Sequence, residues 1–413
     1  MIEFAGVTKQ YGRGAPAVDD PSLVIPSSQT TVIVGPSGCG KTTTLRMINR
    51  MLEPTSGSII WDDTPLTQIK KTVLRRQMGY VIQSGGLFPH RSVADNISTV
   101  PRLIGWDATK IRRRVGELME LTELAPELAA RYPAELSGGQ QQRVGVARAL
   151  AADPHVLLMD EPFSAVDPVV RGGLQELVRG LQRDLRKTVV MITHDIDEAI
   201  SMGDQVAILR RGGTLAQVGT PQELLEFPAD DFVTSFVGRD RGYRSLGFTS
   251  SAPLRLSGVR TTRRPDAATF ADPVIVLDET GRPVAWVDPD RPGGTLPLGV
   301  TFDPATDSLR QALDAALSSS FGKAVAVTGE SGRYAGVVTA DEVMRALAEH
   351  RQEVLGRRAE EEDAAQEASA EVGAWAPTSP ELEQPDPPAE VEEPGPAAEP
   401  VERAQSAGQR EAG

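Results

Sequence analysis

Short apolar runs alternate with helical patterns along the first 240 residues. Unbroken apolar stretches rich in β-branched residues are typical of buried strands. They occur at 31–34, 78–82, 156–159 and 189–193. A helical spacing of apolar residues is seen instead at Ile111, Val115, Leu118 and Leu121. The pattern predicts an α/β core built from residues 1–82 and 155–240, with a mainly helical insert over residues 84–150.

A second and smaller pattern follows a polar stretch, which we interpret as a linker over residues 241–265. Residues 273–287 have the pattern strand, turn, strand. A fuller unit comes next, with an amphipathic helix, two strands and the start of another helix at 308–317, 324–327, 334–339 and 341–347. The sequence therefore predicts a small α+β domain over residues 266–350 that contains two related units.

The end of the chain is acidic and rich in proline. Residues 360–413 contain 15 acidic and two basic residues, and so carry 13 of the 14 net negative charges of the chain. Eight prolines lie between Pro377 and Pro400. Such a composition cannot bury enough apolar surface to offset the entropy of ordering. We predict a disordered tail over residues 357–413, in which Trp375 is either an anchor for a partner or a chance exposed residue.

Composition limits the class of protein further. The sequence contains no run of about 18 apolar residues that could span a bilayer, and its first residues lack the features of a signal peptide. Cys39 is the one cysteine of the chain, so no intrachain disulfide can form. These observations favour the cytoplasm. The body of the chain has no strongly basic face, which argues against a nucleic-acid partner.

The residues after the predicted strand at 31–34 form a phosphate-binding loop. They match G-x-x-x-x-G-K-[ST] as Gly35-Pro36-Ser37-Gly38-Cys39-Gly40-Lys41-Thr42. Glycines let backbone N–H groups face phosphate oxygens, and the start of the next helix adds positive potential. Lys41 can reach the β- and γ-phosphates, and Thr42 can ligate Mg²⁺. The loop, together with Thr43, is the predicted nucleotide site, in which Cys39 is either a small filler or a redox sensor.

A second helix start with anion-binding character lies farther along the chain. It consists of Ser137-Gly138-Gly139-Gln140, and good helix formers follow it as far as Ala151. This segment resembles the signature of ATP-binding cassette (ABC) ATPases. The resemblance implies that these four residues close on the γ-phosphate of ATP held by the opposite subunit of a dimer.

Further segments match the same family in order. Asp160 and Glu161 end an apolar strand. The resemblance implies that Asp160 holds Mg²⁺ through water and that Glu161 is the general base. It also implies that His194 contacts the γ-phosphate and that Gln83 joins the Mg²⁺ site to the helical insert. Asp167 matches the D-loop, which links the two active sites of the dimer.

Two matches near the loops leave alternatives open. Tyr11 matches the aromatic residue that stacks on adenine, although a tyrosine there can equally pack in the core. Leu87 and Phe88 are either contacts for a membrane subunit or ordinary packing beneath the helical insert. One departure from the family lies at 19–22, where Pro21 predicts an edge strand or a bulge.

The second unit of the small domain resembles a CBS module. The segment Gly336-Val337-Val338-Thr339 matches the end of its second strand, but the expected acid is displaced, with Glu342 at the motif position and Asp341 one residue earlier. The first unit lacks both the threonine and the acid. We interpret residues 266–350 as a degenerate CBS-like pair. It either holds a ribose through Thr339 and one of these acids, or serves only for packing or dimerisation.

The combined pattern resembles the ATPase subunits of glycine betaine, choline and proline importers. The resemblance implies a P-loop NTPase core at 1–240, ATP and Mg²⁺ as ligands, and a homodimer at the cytoplasmic face of the membrane. Its implied partners are integral membrane permease subunits and, indirectly, an extracytoplasmic binding protein. The alternatives are an importer ATPase for another small solute, such as an amino acid, or a non-transport ABC ATPase.

Overall fold

The computed structural model describes residues 1–83, 86–264 and 272–374. Its first elements are β1 (Ile2–Lys9), β2 (Val18–Asp19), β3 (Val24–Ile25), β4 (Thr30–Val34), α1 (Lys41–Ile48), β5 (Ser56–Trp61), β6 (Thr64–Pro65), α2 (Lys71–Arg76) and β7 (Met78–Val81). The middle of the chain forms α3 (Val93–Ile97), α4 (Thr99–Leu103), α5 (Ala108–Leu121), α6 (Gly138–Leu150), β8 (Val156–Asp160), α7 (Pro168–Leu185), β9 (Thr188–Thr193), α8 (Ile196–Met202), β10 (Gln205–Leu209), β11 (Leu215–Gly219), α9 (Pro221–Glu226) and α10 (Asp231–Val237).

The remaining elements belong to the C-terminal part. They are α11 (Arg241–Ser245), β12 (Arg260–Thr262), β13 (Val274–Leu277), β14 (Pro283–Val287), β15 (Thr295–Leu296), β16 (Thr301–Phe302), α12 (Leu309–Ser318), β17 (Lys323–Thr328), β18 (Arg333–Thr339) and α13 (Ala340–Ala374). Short 3₁₀ turns lie at Leu66–Gln68, Pro126–Ala130 and Pro133–Glu135.

A six-stranded sheet forms the centre of the nucleotide-binding part. Its order is β11-β10-β4-β9-β8-β7, and all neighbours are parallel except β11, which runs antiparallel to β10. Every residue of β4, β8 and β9 is buried, as the unbroken apolar runs predicted. One apolar core lies between this sheet and the helices that include α3, α5, α6 and α7. A second core joins the sheet to α1 and to β1 and β5.

The N-terminal strands form an antiparallel sheet of order β2-β1-β5-β6, with β3 also paired to β1. Pro21 lies between β2 and β3, which are two residues long each. A proline has no N–H group to donate to a strand partner, so the strand along β1 is interrupted there. This agrees with the predicted irregularity at 19–22.

The insert over residues 84–150 is helical in its described part. Asp107 caps α5, because its carboxylate accepts hydrogen bonds from the N–H groups of Thr109 and Lys110. Val115 and Leu118 are buried in the core, and Ile111 and Leu121 pack against it. The helical spacing therefore identified the correct face of this helix. Ser84 and Gly85 lie outside the described residues.

The C-terminal part contains a four-stranded sheet, β12-β13-β14-β15, and a three-stranded sheet, β16-β17-β18. Ile275 and Trp286 of the first sheet share a core with Val325 and Val337 of the second. The second sheet with α12 and α13 has the predicted order of a complete unit. Leu317, at the end of the segment 308–317 that was predicted as an amphipathic helix, is 69% exposed.

Two sequence-based boundaries differ from the structure. The segment interpreted as a linker contains α11 and β12, and its Leu246 and Leu254 are buried in the core around α12. Isolated apolar residues in a polar stretch give no periodic signal, which explains the misreading. The predicted start of the tail at residue 357 falls within α13, which extends to Ala374. The rest of that predicted tail, with Trp375, lies outside the described residues.

Candidate functional site

Four loops meet at the carboxyl edge of the six-stranded sheet. They follow β4, β7, β8 and β9, which are parallel and in register: Val34 is opposite Thr193, and Asp160 is opposite Ile192. Ligands of open parallel sheets bind at this edge. The loops carry the phosphate-binding segment, Gln83, Glu161 and His194, so sequence segments far apart in the chain come together here.

The phosphate loop passes close to neighbouring backbone, and two positions require glycine. A Cβ atom on Gly40 would lie 2.1 Å from the carbonyl oxygen of Ala17, and one on Gly35 would lie 2.4 Å from that of Leu209. Gly40 is also the N-cap of α1, with φ of 98°. Ser37 and Gly38 are exposed, whereas Cys39 is buried under the loop. The loop therefore presents its backbone outward and packs its cysteine inward.

Lys41 is the first residue of α1, and only 6% of it is exposed. Its Nζ atom donates to the carbonyl oxygens of Gly35 at 2.7 Å and Pro36 at 3.2 Å. A buried ammonium group held by carbonyls at the start of a helix creates positive potential at the loop. This arrangement fits the phosphates of ATP. Burial raises the pKa of the Cys39 thiol, and the charge of Lys41 only partly offsets that effect.

Asp160 ends β8 and is almost completely buried. Burial raises the pKa of its carboxyl group, while a hydrogen bond from the Tyr80 hydroxyl, the charge of Arg46 and a hydrogen bond from Thr42 act in the opposite direction. The Tyr80 Oη atom lies 3.2 Å from Oδ2 of Asp160. Thr42 and Asp160 thus bring two oxygen donors together beside the phosphate loop. Oxygen donors of this kind suit Mg²⁺, which keeps part of its water shell.

Glu161 is contacted by His194 and Gln83, which the family resemblance assigns to the γ-phosphate and to the Mg²⁺ site. Its Oε2 atom lies 3.2 Å from Nδ1 of His194 and 3.4 Å from Nε2 of Gln83. Gln83 also donates to the Oγ atom of Ser164 at 3.2 Å. The side chains of His194 and Gln83 thus converge on one carboxylate oxygen of Glu161. Glu161 has φ of 45°, a left-handed conformation that a non-glycine residue rarely adopts and that sequence patterns do not reveal.

The signature segment starts α6 and is accessible. Ser137 is the N-cap: its Oγ atom accepts from the Gln140 N–H at 3.3 Å, and Gln140 Oε1 accepts from the Ser137 N–H at 2.9 Å. This reciprocal pair is a capping box. Ser137 and Gly138 are exposed, and Gly139 is buried. A Cβ atom on Gly138 would lie 3.4 Å from the Ala165 carbonyl oxygen, so this segment adjoins the D-loop of its own chain.

The D-loop residue Asp167 is also exposed. Its carbonyl oxygen accepts from the N–H groups of Val170 and Arg171, which starts α7. Signature and D-loop therefore form one accessible surface.

Tyr11 lies in the loop between β1 and β2 and is 53% exposed. Its ring is approached by Nζ of Lys9 at 5.4 Å from the ring centre. The loop returns to the phosphate site at Ala17, which adjoins Gly40. With 53% of its surface exposed, Tyr11 is not packed in the core. Its role in stacking on adenine remains a prediction.

In the C-terminal part, Thr339 and Glu342 interact with each other. Glu342 Oε2 accepts from the N–H and from Oγ1 of Thr339, both at 2.8 Å, and the Glu342 N–H donates to Thr339 Oγ1. These backbone and side-chain hydrogen bonds lower the pKa of Glu342. The pair thus caps the start of α13. A role in holding a ribose remains a prediction.

Sequence reasoning missed Tyr80 and Glu198. The Tyr80–Asp160 contact depends on strand register: Tyr80 is opposite Leu158, and Asp160, two residues farther along β8, points to the same face. Glu198 lies in the first turn of α8 and is buried. A charged residue at the start of a helix is ordinarily a solvated capping residue, so its burial gave no signal in the sequence.

A phosphate loop followed by a capped signature helix, an acidic strand end and a histidine on the next strand defines a P-loop ATPase of the ATP-binding cassette class. Residues 18–164 match the family described as ABC transporter. The chain is 42% identical over 364 residues to the osmoprotectant import ATP-binding protein OsmV of Salmonella typhimurium, covering 83% of this chain and 94% of that protein. The chain therefore belongs to the family of ABC transporter ATP-binding proteins.

Other relatives agree. The chain is 48% identical over 279 residues to the glycine betaine uptake system ATP-binding protein YehX of Escherichia coli, covering 67% of this chain and 89% of that protein. Among solved structures it is similar to CbiO1 from Clostridium perfringens, part of the ABC transporter complex CbiONQ. That similarity has 29% identity and a TM-score of 0.51, and it covers 55% of this chain and 90% of the other.

Proposed function

We propose that the chain is the ATP-hydrolysing subunit of an importer for a quaternary amine or related osmoprotectant, such as glycine betaine, choline, carnitine or proline. The convergence of His194 and Gln83 on Glu161 supports the ATPase part of this proposal. The names of the relatives support the transported class: OsmV is an osmoprotectant import protein, and YehX belongs to a glycine betaine uptake system.

At the site, ATP is the substrate and the loop residues bind its phosphates. Backbone N–H groups at the start of α1 and the ammonium group of Lys41 neutralise the phosphate charge. Thr42, Asp160 and Gln83 would hold Mg²⁺, which neutralises charge on the β- and γ-phosphates when it is bound. Tyr11 offers its exposed ring to the adenine.

Glu161 is the proposed general base. Its carboxylate accepts a proton from the water that attacks the γ-phosphate. His194 and Gln83 both reach the same carboxylate oxygen, and so fix the orientation of the acid. Asp195 fixes the loop that carries His194, because its carboxylate accepts from the N–H groups of Asp197 and Glu198 at the start of α8.

The proposed active unit is a homodimer. Ser137, Gly138 and Asp167 are exposed. The exposed start of α6 at Ser137 suits the phosphate of a nucleotide bound by a second copy. Each of two sites would then combine the phosphate loop of one chain with Ser137 of the other. Closure around ATP and opening after hydrolysis would drive alternating access.

The proposed permease contact lies on the helical insert. A groove of about 1420 Å³ is lined by apolar residues of α3 and α5, among them Ala94, Ile111, Val115 and Met119. Phe88, whose N–H donates to Oδ1 of Asn96 in α3, is 40% exposed, whereas Leu87 packs against the core. An apolar groove with such an exposed ring suits a short segment of a membrane subunit.

In the described part of the chain no helix is long and apolar enough to cross a bilayer. We place the chain at the cytoplasmic face of the membrane, bound to that permease, which would receive its solute from an extracytoplasmic binding protein.

The test is uptake in the organism that encodes the chain. Cells lacking the gene receive either the natural sequence or the Lys41→Ala variant, and uptake of labelled glycine betaine, choline, carnitine and proline is measured. We expect uptake of at least one of them to return only with the natural sequence. Spermidine and sulfate serve as control solutes. Restoration of a control solute alone would overturn the proposed solute class but not the ATPase.

A further inference from the structure

Helix α8 contains a buried acid that the proposed reaction does not use. Glu198 lies in its first turn, four residues after His194, and is 6% exposed. Burying a carboxylate is costly unless both of its oxygens have partners. Burial raises the pKa of Glu198, and its contacts with Thr193 and Arg171 only partly offset that effect. These contacts join α8 to the end of β9 and to α7.

One oxygen of Glu198 holds the loop that carries the histidine. Oγ1 of Thr193 donates to Glu198 Oε2 at 2.6 Å. The same Oγ1 atom accepts from the N–H of Asp195 at 3.1 Å. The Thr193 hydroxyl therefore links the residue before His194 to the residue after it. Glu198 in turn fixes that hydroxyl.

The other oxygen faces the D-loop helix. Oε1 of Glu198 lies 3.6 Å from Nη1 of Arg171, in the first turn of α7. The N–H of Arg171 donates to the carbonyl oxygen of Asp167 at 2.9 Å. Among the described atoms, the buried Nε of Arg171 has no hydrogen-bond partner. The guanidinium group is therefore only partly satisfied, and its ion pair with Glu198 offsets part of that cost.

We propose that Glu198 is a positioning residue that holds His194 in a fixed relation to the D-loop residue Asp167, through Thr193 on one side and Arg171 on the other. The inference rests on the proposed ATPase function. Because Asp167 lies on the accessible surface beside the signature segment, a change there on dimer closure would reach His194 through this bridge. In this role Glu198 acts through Thr193 and Arg171, its two described partners.

The test begins with Glu198→Gln, which keeps an oxygen for Thr193 and removes the charge that faces Arg171. We expect kcat for ATP to fall about tenfold, since small displacements of a catalytic group have effects of this size. KM for ATP and the affinity for a fluorescent ATP analogue should stay within about twofold, because the phosphate loop is untouched. Glu176→Gln is the matched control. It removes an exposed ion pair between Glu176 and Arg179, which both lie on α7, and should leave kcat unchanged.

Two further comparisons separate positioning from folding. Arg171→Gln should lower kcat as Glu198→Gln does, and the double variant should be no slower than the slower single variant. In a His194→Ala background, Glu198→Gln should have no further effect on the residual rate. Thr193→Ser keeps the hydroxyl and should retain kcat. Thr193→Val removes the hydroxyl and should lose kcat.

A full additional loss in the His194→Ala background would overturn the inference, as would additive effects of the two single variants. An unchanged kcat in folded Glu198→Gln protein would do the same. If the natural chain itself hydrolyses no ATP, the proposed function fails first, and the two failures are thus distinguished.

Discussion

His194 and Glu161 are 33 residues apart in the chain, yet Nδ1 of the histidine lies 3.2 Å from Oε2 of the glutamate. The contact follows from the sheet: β8 and β9 are adjacent and parallel, and each residue comes directly after its strand. A backbone hydrogen bond from the Glu161 N–H to the Ile192 carbonyl oxygen, at 3.1 Å, keeps the two strand ends together. The paired strand ends therefore bring the two residues close together.

The first prediction concerns this pair. Glu161→Gln keeps the size of the side chain and removes its capacity to accept a proton. ATP should still bind and should hold the dimer closed, while hydrolysis should fall by at least about a hundredfold. Phosphate release and size-exclusion chromatography with ATP measure the two effects. Turnover close to that of the natural chain would reject Glu161 as the base.

The sequence predicted the loops of this site because each follows a largely buried strand, which appears as a short apolar run. It could not predict the left-handed backbone of Glu161, which depends on how the chain leaves β8. Nor could it predict that Leu246 and Leu254 pack beside α12, because each is a single apolar residue in a polar stretch. Contacts that depend on register, such as Tyr80 with Asp160, require the assembled sheet.

The second prediction tests whether catalysis needs two chains. Ser137→Arg places a bulky cation where a second copy would bring its nucleotide, and it should abolish hydrolysis but leave ATP binding intact. Lys41→Ala should abolish binding at its own loop. In an equal mixture of the two variants, the mixed dimers contain at most one complete site, and activity should return partially. Strong hydrolysis by a strictly monomeric preparation would contradict the shared site.

The third prediction concerns Tyr80. Tyr80→Phe removes the hydroxyl that holds Asp160 Oδ2 and should raise the Mg²⁺ concentration needed for half-maximal hydrolysis by about tenfold, a typical effect for a group that orients a metal ligand. Mn²⁺ binding in the presence of ADP, followed by electron paramagnetic resonance, should weaken in parallel. Tyr132→Phe, an exposed tyrosine on the helical insert, is the control. Equal metal dependence in both variants would argue against this role for Tyr80.

The fourth prediction decides between the two roles left open for Cys39. A thiol reacts as its thiolate, and burial raises the pKa of Cys39 above its usual range. Alkylation by N-ethylmaleimide at pH 7.5 should be at least about a hundredfold slower than in urea-unfolded protein, and its rate should still be rising with pH above 9. Cys39→Ser should hydrolyse ATP normally. Rapid alkylation of the folded chain at neutral pH would favour the redox sensor.

The last prediction concerns the junction at α11. Nε of Arg244 lies 2.8 Å from Oδ1 of Asp197, three residues after His194, and the guanidinium group also pairs with Asp240 and donates to the Val237 carbonyl oxygen. Arg244 is largely buried, whereas both acids are exposed. Solvent screens both acids, so the ion pairs themselves contribute little. Most of the stability lost in Arg244→Gln comes from the lost contacts of the buried guanidinium group, and we expect the free energy of unfolding to fall by about 1–2 kcal/mol.

Urea unfolding followed by circular dichroism measures that loss as a lower transition midpoint. Arg183→Gln is a suitable control, because Arg183 is exposed and lies 3.8 Å from Glu176, a geometry that contributes little. Ser245 and Leu246, at the end of α11, are buried, which indicates that α11 is an integral part of the fold. In that case the transition midpoints of the two variants will differ clearly. If this segment is instead the flexible linker that its polar sequence suggested, Arg244→Gln will be as mild as the control, because a mobile arginine contributes no fixed ion pair.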